Sequence, residues 1–133
     1  MIFIDTGAFL GKYFARDQHH RKAVRAWKSL ADKRQPCFTS NFVLDEFFTL
    51  LGRRAGGAFA AERARRVYAS RAFTILRPEE EDEHQAVDLL AKFADQEVSF
   101  TDCISFVLMR RRGLQRVFGF DRHFRAAGFQ TFP

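Results

Sequence analysis

Cysteine is scarce. The 133 residues contain two, Cys37 and Cys103, far apart and outside any C-x-x-C pair. That spacing argues against zinc knuckles and dithiol redox motifs and leaves buried free thiols as the expectation. Histidine is equally thin: His19, His20, His84 and His123 lie in polar surroundings without paired ligand spacing, so no histidine metal centre is expected. No apolar run approaches the roughly 18 residues of a membrane span. The opening Met-Ile-Phe-Ile-Asp lacks a basic leader, so a cytoplasmic protein with no membrane association is expected. No repeat, linker or low-complexity tract divides the sequence, and residues 1–133 are expected to form a single domain around one core.

What is abundant is phenylalanine, with 17 copies against one Trp and two Tyr in a chain that is 47% hydrophobic. The rings are scattered through periodic segments, so most should be core. Their surplus suggests a self-association surface, for which the helix with Phe42, Phe47 and Phe48 and the helix with Phe59 are candidates. Lys and Arg total 22 against 16 acids, a formal charge of +6. The arginines cluster at 53–54, 63–71, 110–112 and then Arg116, Arg122 and Arg125, a distribution that fits a polyanionic partner.

Hydrophobic periodicity organises the chain as alternating strands and helices. Strand-like runs fall at Ile2 to Ile4, Pro36 to Thr39, Phe73 to Leu76, Val117 to Phe120 and Phe129 to Phe132. Helical patterns cover about 8–14, 19–33, 41–54, 58–71, 79–93, 101–112 and 122–127, with Ser40 or Asn41 able to cap the third. The acidic run Glu79 to Glu83 reads as a solvated first helical turn, where the dipole favours negative charge. This alternation predicts an α/β fold: a central, mainly parallel sheet of four or five strands with helices on both faces. The extra helices between the second and third strands predict an arm or lid beside the sheet.

Four acids stand out from that frame. Asp5 and Asp121 each follow a strand, and in an open parallel sheet the strand carboxyl ends share the edge where ligands bind. Each could instead be a turn or cap residue. Glu46 shares a helical stripe with Phe42, Val43 and Leu50, so its carboxylate is expected to be desolvated and paired, with Arg53 or with a metal. Asp102 opens the helix carrying Ile104, Phe106, Val107 and Leu108. Four carboxylates converging on one cleft would repel one another, and a hard divalent cation relieves that; Mg²⁺ or Mn²⁺ suits all-oxygen ligation.

The stretches Met-Ile-Phe-Ile-Asp-Thr-Gly-Ala-Phe, Ser-Asn-Phe-Val-Leu-Asp-Glu-Phe, Ser-Phe-Thr-Asp-Cys-Ile-Ser-Phe and Phe-Gly-Phe-Asp-Arg-His-Phe, in that order and spacing, resemble the PIN-domain family over essentially the whole chain. The family's four acids correspond to Asp5, Glu46, Asp102 and Asp121, and Thr6 matches the small hydroxyl residue often found after the first. The resemblance implies a three-layer α/β/α ribonuclease that uses Mg²⁺ or Mn²⁺ to cut RNA. Bacterial members this short are usually VapC-type toxins, dimeric and inhibited by a small antitoxin. On this reading the four acids are catalytic and bind metal, and hydrolysis leaves a 5′-phosphate and a 3′-hydroxyl. Thr6, Thr101 and Ser105 are candidates to orient metal waters. Arg110, Arg111, Arg112, Arg122 and Arg125 are candidates to track the RNA backbone.

Rival readings have less behind them. A haloacid-dehalogenase-like phosphoaspartate enzyme would carry a second Asp at position 7, where Gly7 stands. A response-regulator receiver would show paired acids near the first strand and a late Lys, which are missing. A basic RNA- or protein-binding module without catalysis, and a PIN nuclease of RNA processing that has no antitoxin, remain as alternatives.

Overall fold

The computed structural model describes residues 1–133. Five strands, β1 (Ile2–Ile4), β2 (Cys37–Ser40), β3 (Phe73–Leu76), β4 (Arg116–Phe118) and β5 (Gln130–Phe132), form one sheet in the order β3-β2-β1-β4-β5. Every neighbouring pair is parallel. The helices are α1 (Thr6–Tyr13), α2 (His20–Asp32), α3 (Asn41–Ala55), α4 (Gly57–Ala69), α5 (Glu80–Lys92), α6 (Phe100–Arg111) and the short α7 (His123–Ala126). Successive strand residues point to opposite faces, and Ile2, Phe3 and Ile4 are all fully buried, so both faces of the central strand are covered. One helical group, α1 to α4, packs together, and α5, α6 and α7 form a second.

The chain runs outward from β1 through β2 to β3, then crosses back to place β4 on the other side of β1. That reversal opens a crevice at the carboxyl ends of β1 and β4, the position at which open α/β sheets bind ligands. The segments after β1 and β4 therefore carry the site.

Local sequence explains where the elements start. Ser40 caps α3, its hydroxyl accepting from the Val43 N–H at 3.1 Å, and Ser99 caps α6 by accepting from the Asp102 N–H at 3.0 Å. Helix α1 begins at Thr6, earlier than the sequence pattern suggested, because the Asp5 carbonyl already accepts from the Ala8 N–H. Strand β4 ends at Phe118, short of the expected Phe120: the next residue, Gly119, packs against Asp5. Between α3 and α4, Gly56 takes a φ of 94°, which lets two helices meet with almost no linker. The expected arm is this α3–α4 pair, with α3 continuing directly from β2 and packing on both β2 and α1.

Phenylalanine is spent on the core. Phe9 stacks on Phe47 at 5.1 Å and meets Trp27 and the edge of Phe73, while Phe106 contacts Phe93, Phe124 and Phe129. Each fully buried ring contributes about 1.5–3 kcal/mol relative to exposure. None of the 17 Phe rings is in the exposed class, and Phe47, offered above as an interface residue, is completely buried. Of the rings offered above for self-association, the structure removes Phe47, while Phe42, Phe48 and Phe59 are only partly buried. Cys37 and Cys103 are buried and free, as expected. No helix is long and apolar enough to cross a membrane.

The acidic run departs from its reading at one residue. Glu80 and Glu81 are solvated, but Asp82 is buried; its carboxylate accepts from the Glu79 N–H at 2.8 Å and pairs with Arg111. A carboxylate taken out of water needs such a partner. The pair fastens α5 to α6.

Gly11 faces Ala23 so closely that an added Cβ would come within 2.6 Å of the Ala23 methyl, whereas one on Gly52 would sit 3.8 Å from Ala60. Helix propensity favours Ala over Gly by about 1 kcal/mol at either place. Gly52→Ala should therefore raise the urea midpoint. Gly11→Ala should lower it, with overpacking of about 1–3 kcal/mol opposing the propensity gain.

Candidate active site: four carboxylates at the sheet's switch point

Asp5 directly follows β1 and is the N-cap residue of α1, yet its side chain makes no capping bond. It is 4% exposed, and its Oδ1 has no hydrogen-bond partner. A cap would have used that oxygen on a helix N–H, so the cap alternative fails for Asp5. Gly119 explains how the carboxylate is housed: a Cβ there would lie 2.9 Å from the Asp5 Cβ and 3.3 Å from its Oδ2.

Asp102 lies in the first turn of α6. The capping role belongs to Ser99, which leaves the Asp102 carboxylate free of the helix end. Asp121 stands three residues beyond β4 and does serve locally, its Oδ1 accepting from the His123 N–H at 2.9 Å. Glu46, on α3, is half-buried and forms no ion pair, with Arg53 or any other cation. All four line one cleft of about 340 Å³, together with Thr6, Glu97, Ser99, Phe120 and His123. The structure thus brings the sequence's quartet into a single cavity.

The electrostatics follow from the burial. Desolvation, then the neighbouring Asp102 carboxylate, hold the Asp5 carboxyl well above the usual range; Glu46 and Asp121 add to the rise, and the Thr6 main chain opposes it. Asp102 is pushed up to about 7 by burial and by the charges of Asp121 and Glu46, with His123 pulling the other way. These acids are costly to ionise together. A divalent cation would offset the mutual repulsion, and the chemistry of the cleft is compatible with one: Asp102, Asp121 and His123 bring ligand atoms within 4.8 Å of one another, while Asp5, with its orphaned oxygen, and Glu46 line the same cleft without joining that group.

The supporting residues divide. Thr6 lines the cleft and its buried hydroxyl is unpaired. Ser105 lies outside the cleft and donates back to the Thr101 carbonyl at 3.0 Å; Thr101 does not line the cleft either, and the other hydroxyl residue that does is Ser99, the residue capping α6. The arginines divide too. Arg110 to Arg112 occupy the far end of α6, about 12–15 Å along the axis from Asp102 at 1.5 Å per residue. Arg111 is engaged by Asp82 and Glu79, Arg110 donates to the Ala127 carbonyl, and Arg112 lies over the Phe38 ring. Arg122 and Arg125 are exposed and border depressions shared with Asp121 and His123.

The sequence put His123 in polar surroundings with no metal-ligand partner, but its side chain is only 17% exposed and lines the acid cleft. Its Nδ1 lies 3.0 Å from Asp121 Oδ1 and 3.5 Å from Asp102 Oδ2, near enough for charge pairing but not aligned for a hydrogen bond. Position 123, two residues after a strand-end acid, was the available signal. Glu97 reaches the rim by adopting a φ of 54°, which the sequence did not announce.

A parallel five-stranded sheet with an acid quartet at its switch point defines the class, and residues 2–130 match the PIN domain. The chain belongs to the PIN-domain family and is VapC-like within it. The 23S rRNA-specific endonuclease VapC20 of Mycobacterium tuberculosis is 40% identical over 132 residues, covering 97% of this chain and 95% of the relative. The crystal structure of that species' VapC20, a sarcin–ricin loop cleaving toxin, superposes with a TM-score of 0.89 at 36% identity, covering 97% and 96% of the two chains. The fold is shared more distantly by FitAcB from Neisseria gonorrhoeae, with a TM-score of 0.73 at 21% identity over 100% and 97% of the chains. DNA-bound VapBC from Salmonella typhimurium gives 0.70 at 13% identity over 99% and 98%.

The raised acids carry a pH signature. Between the ordinary carboxylate value of 3.8 and the folded values, the native state binds more protons than the unfolded chain, so stability falls as pH rises through that window. Without divalent ions the melting temperature should drop from pH 5 to pH 8. Asp5→Asn removes one buried charge and should flatten the drop, raising the melting temperature at pH 8 while changing it little at pH 5. Parallel melts with and without Asp5 would be inconsistent with a repulsive cluster.

Proposed function

We propose that this chain is a divalent-metal-dependent endoribonuclease, the toxin of a toxin–antitoxin pair, and that it cuts 23S rRNA in the sarcin–ricin loop. The observation that carries the reading is the buried Asp5 carboxylate, with an unpaired oxygen, facing three other acids in one cleft. The substrate reading draws on the 40% identity to VapC20 along nearly all of both chains.

In this mechanism Asp5, Glu46, Asp102 and Asp121 are the residues that would hold Mg²⁺ or Mn²⁺, whose Lewis acidity would ease deprotonation of water and offset charge on the scissile phosphate. Asp5 and Asp102, placed at a strand end and in a first helical turn, would present their carboxylates from the two rigid elements of the cleft. Asp121 is oriented by the His123 N–H, and Glu46 approaches from α3. Thr6, with its free hydroxyl beside Asp5, orients water in the cleft. Arg122 and Arg125 flank the acids and contact backbone phosphates, which keeps the polyanion over a site that is itself negative. Arg110 to Arg112 have no part in this, since they lie at the opposite end of α6.

Two partners are inferred from the family resemblance: a small antitoxin that blocks the cleft, and a second copy of the chain in a homodimer. Cytoplasmic action follows from the ribosomal substrate.

Purified protein with Mg²⁺ or Mn²⁺ should cut intact ribosomes once, within the sarcin–ricin loop, and chelation should abolish the product. Asp5→Asn and Asp102→Asn should each reduce the rate by more than about 100-fold, since loss of a ligand exceeds the 10–100-fold typical of its supporting shell. Cleavage that persists in EDTA, or RNA that is bound and left whole with either metal, would overturn the reading.

A further inference from the structure

The cleft holds a nitrogen donor as well as oxygens. His123 opens α7, and its Nδ1 is buried with no aligned hydrogen-bond partner. A buried ring nitrogen without a partner is costly, so its placement calls for one. Ligand atoms of Asp102, Asp121 and His123 lie within 4.8 Å of one another, with the Nδ1 separations at 3.0 and 3.5 Å. Donors at right angles about an octahedral ion, each about 2.1 Å away, stand about 3.0 Å apart. The distances around His123 are therefore those of edges of a coordination shell. The geometry is fixed locally: the His123 main-chain N–H holds Asp121 Oδ1, so the backbone and the ring of one residue address the same carboxylate. Asp5, with its own buried, unpaired Oδ1, lines the same cleft.

We propose that His123 Nδ1 is a direct ligand of the cation bound by Asp102 and Asp121, and that this mixed nitrogen and oxygen set makes the site favour Mn²⁺ over Mg²⁺. Mg²⁺ is hard, keeps its waters and prefers oxygen, whereas first-row transition ions accept imidazole. The inference rests on the metal-dependent reading above and specifies its ion.

Bound Mn²⁺ is paramagnetic, so its ligands can be read without any turnover. Pulsed EPR of the whole protein loaded with Mn²⁺ should show modulation from a directly bound ¹⁴N. His123→Asn offers an amide oxygen in place of the nitrogen; it should lose that modulation, keep Mg²⁺ binding, and let Mg²⁺ displace Mn²⁺ about tenfold more readily. Mn²⁺ bound without nitrogen coupling in the unaltered protein overturns the inference alone, whatever the variant's folding. Equal competition in protein and variant overturns the selectivity. Absence of any Mn²⁺ binding overturns the metal-dependent reading with it.

Discussion

Everything distinctive about this protein depends on one electrostatic constraint: carboxylates gathered in one cleft, Asp5 and Asp102 held out of water, at the carboxyl ends of β1 and β4 where the strand order reverses. Asp5 is the centre of that constraint, nearly inaccessible and with one oxygen unpaired. A fold selected only for stability would place an apolar or hydrogen-bonded residue there, because a desolvated, unpartnered charge costs several kcal/mol. The surroundings maintain the cost instead. Gly119 makes room for the carboxylate, Ser99 takes over the capping role that Asp102 could have filled, and Glu46 is left without a cation on a helix that carries Arg53 and Arg54.

That constraint is affordable because the rest of the chain is conventional and dense. The phenylalanine-rich core around Phe9 and Phe106, both faces of β1 covered, and the Asp82–Arg111 clamp between α5 and α6 keep the acids from relaxing apart. The clamp also shows how the same residue types divide labour. Asp82 is as buried as Asp5, yet it has a guanidinium and a main-chain N–H as partners. One buried acid is satisfied and structural; the other is unsatisfied and fit for a cation.

Much of this was legible in the sequence. Five strands and seven helices follow from hydrophobic periodicity, and Asp5, Glu46, Asp102 and Asp121 announce themselves as acids in apolar settings or at strand ends. What periodicity could not register was direction and reach. The arginines at 110–112 look like a nucleic-acid patch in the sequence, but a helix whose first turn enters the site must carry its last turn away from it. Ser105 shares a face with Thr101 and bonds back along its own helix. His123 looked isolated because its partners, Asp102 and Asp121, meet only where α6 and the β4–α7 turn converge. The excess of Phe suggested a sticky surface, and the packing of both sheet faces buries much of it, Phe47 included.

On the proposed reading a divalent cation replaces protons in a cluster of acids raised by burial and mutual repulsion. Calorimetric titration of the metal-free protein with Mn²⁺ near pH 6.5, repeated in buffers of different ionisation enthalpy, measures that exchange. Saturable binding with net proton release is expected, diminishing as pH rises past about 7, the value to which Asp102 is raised. Saturable binding with no proton release across that range would contradict that reading.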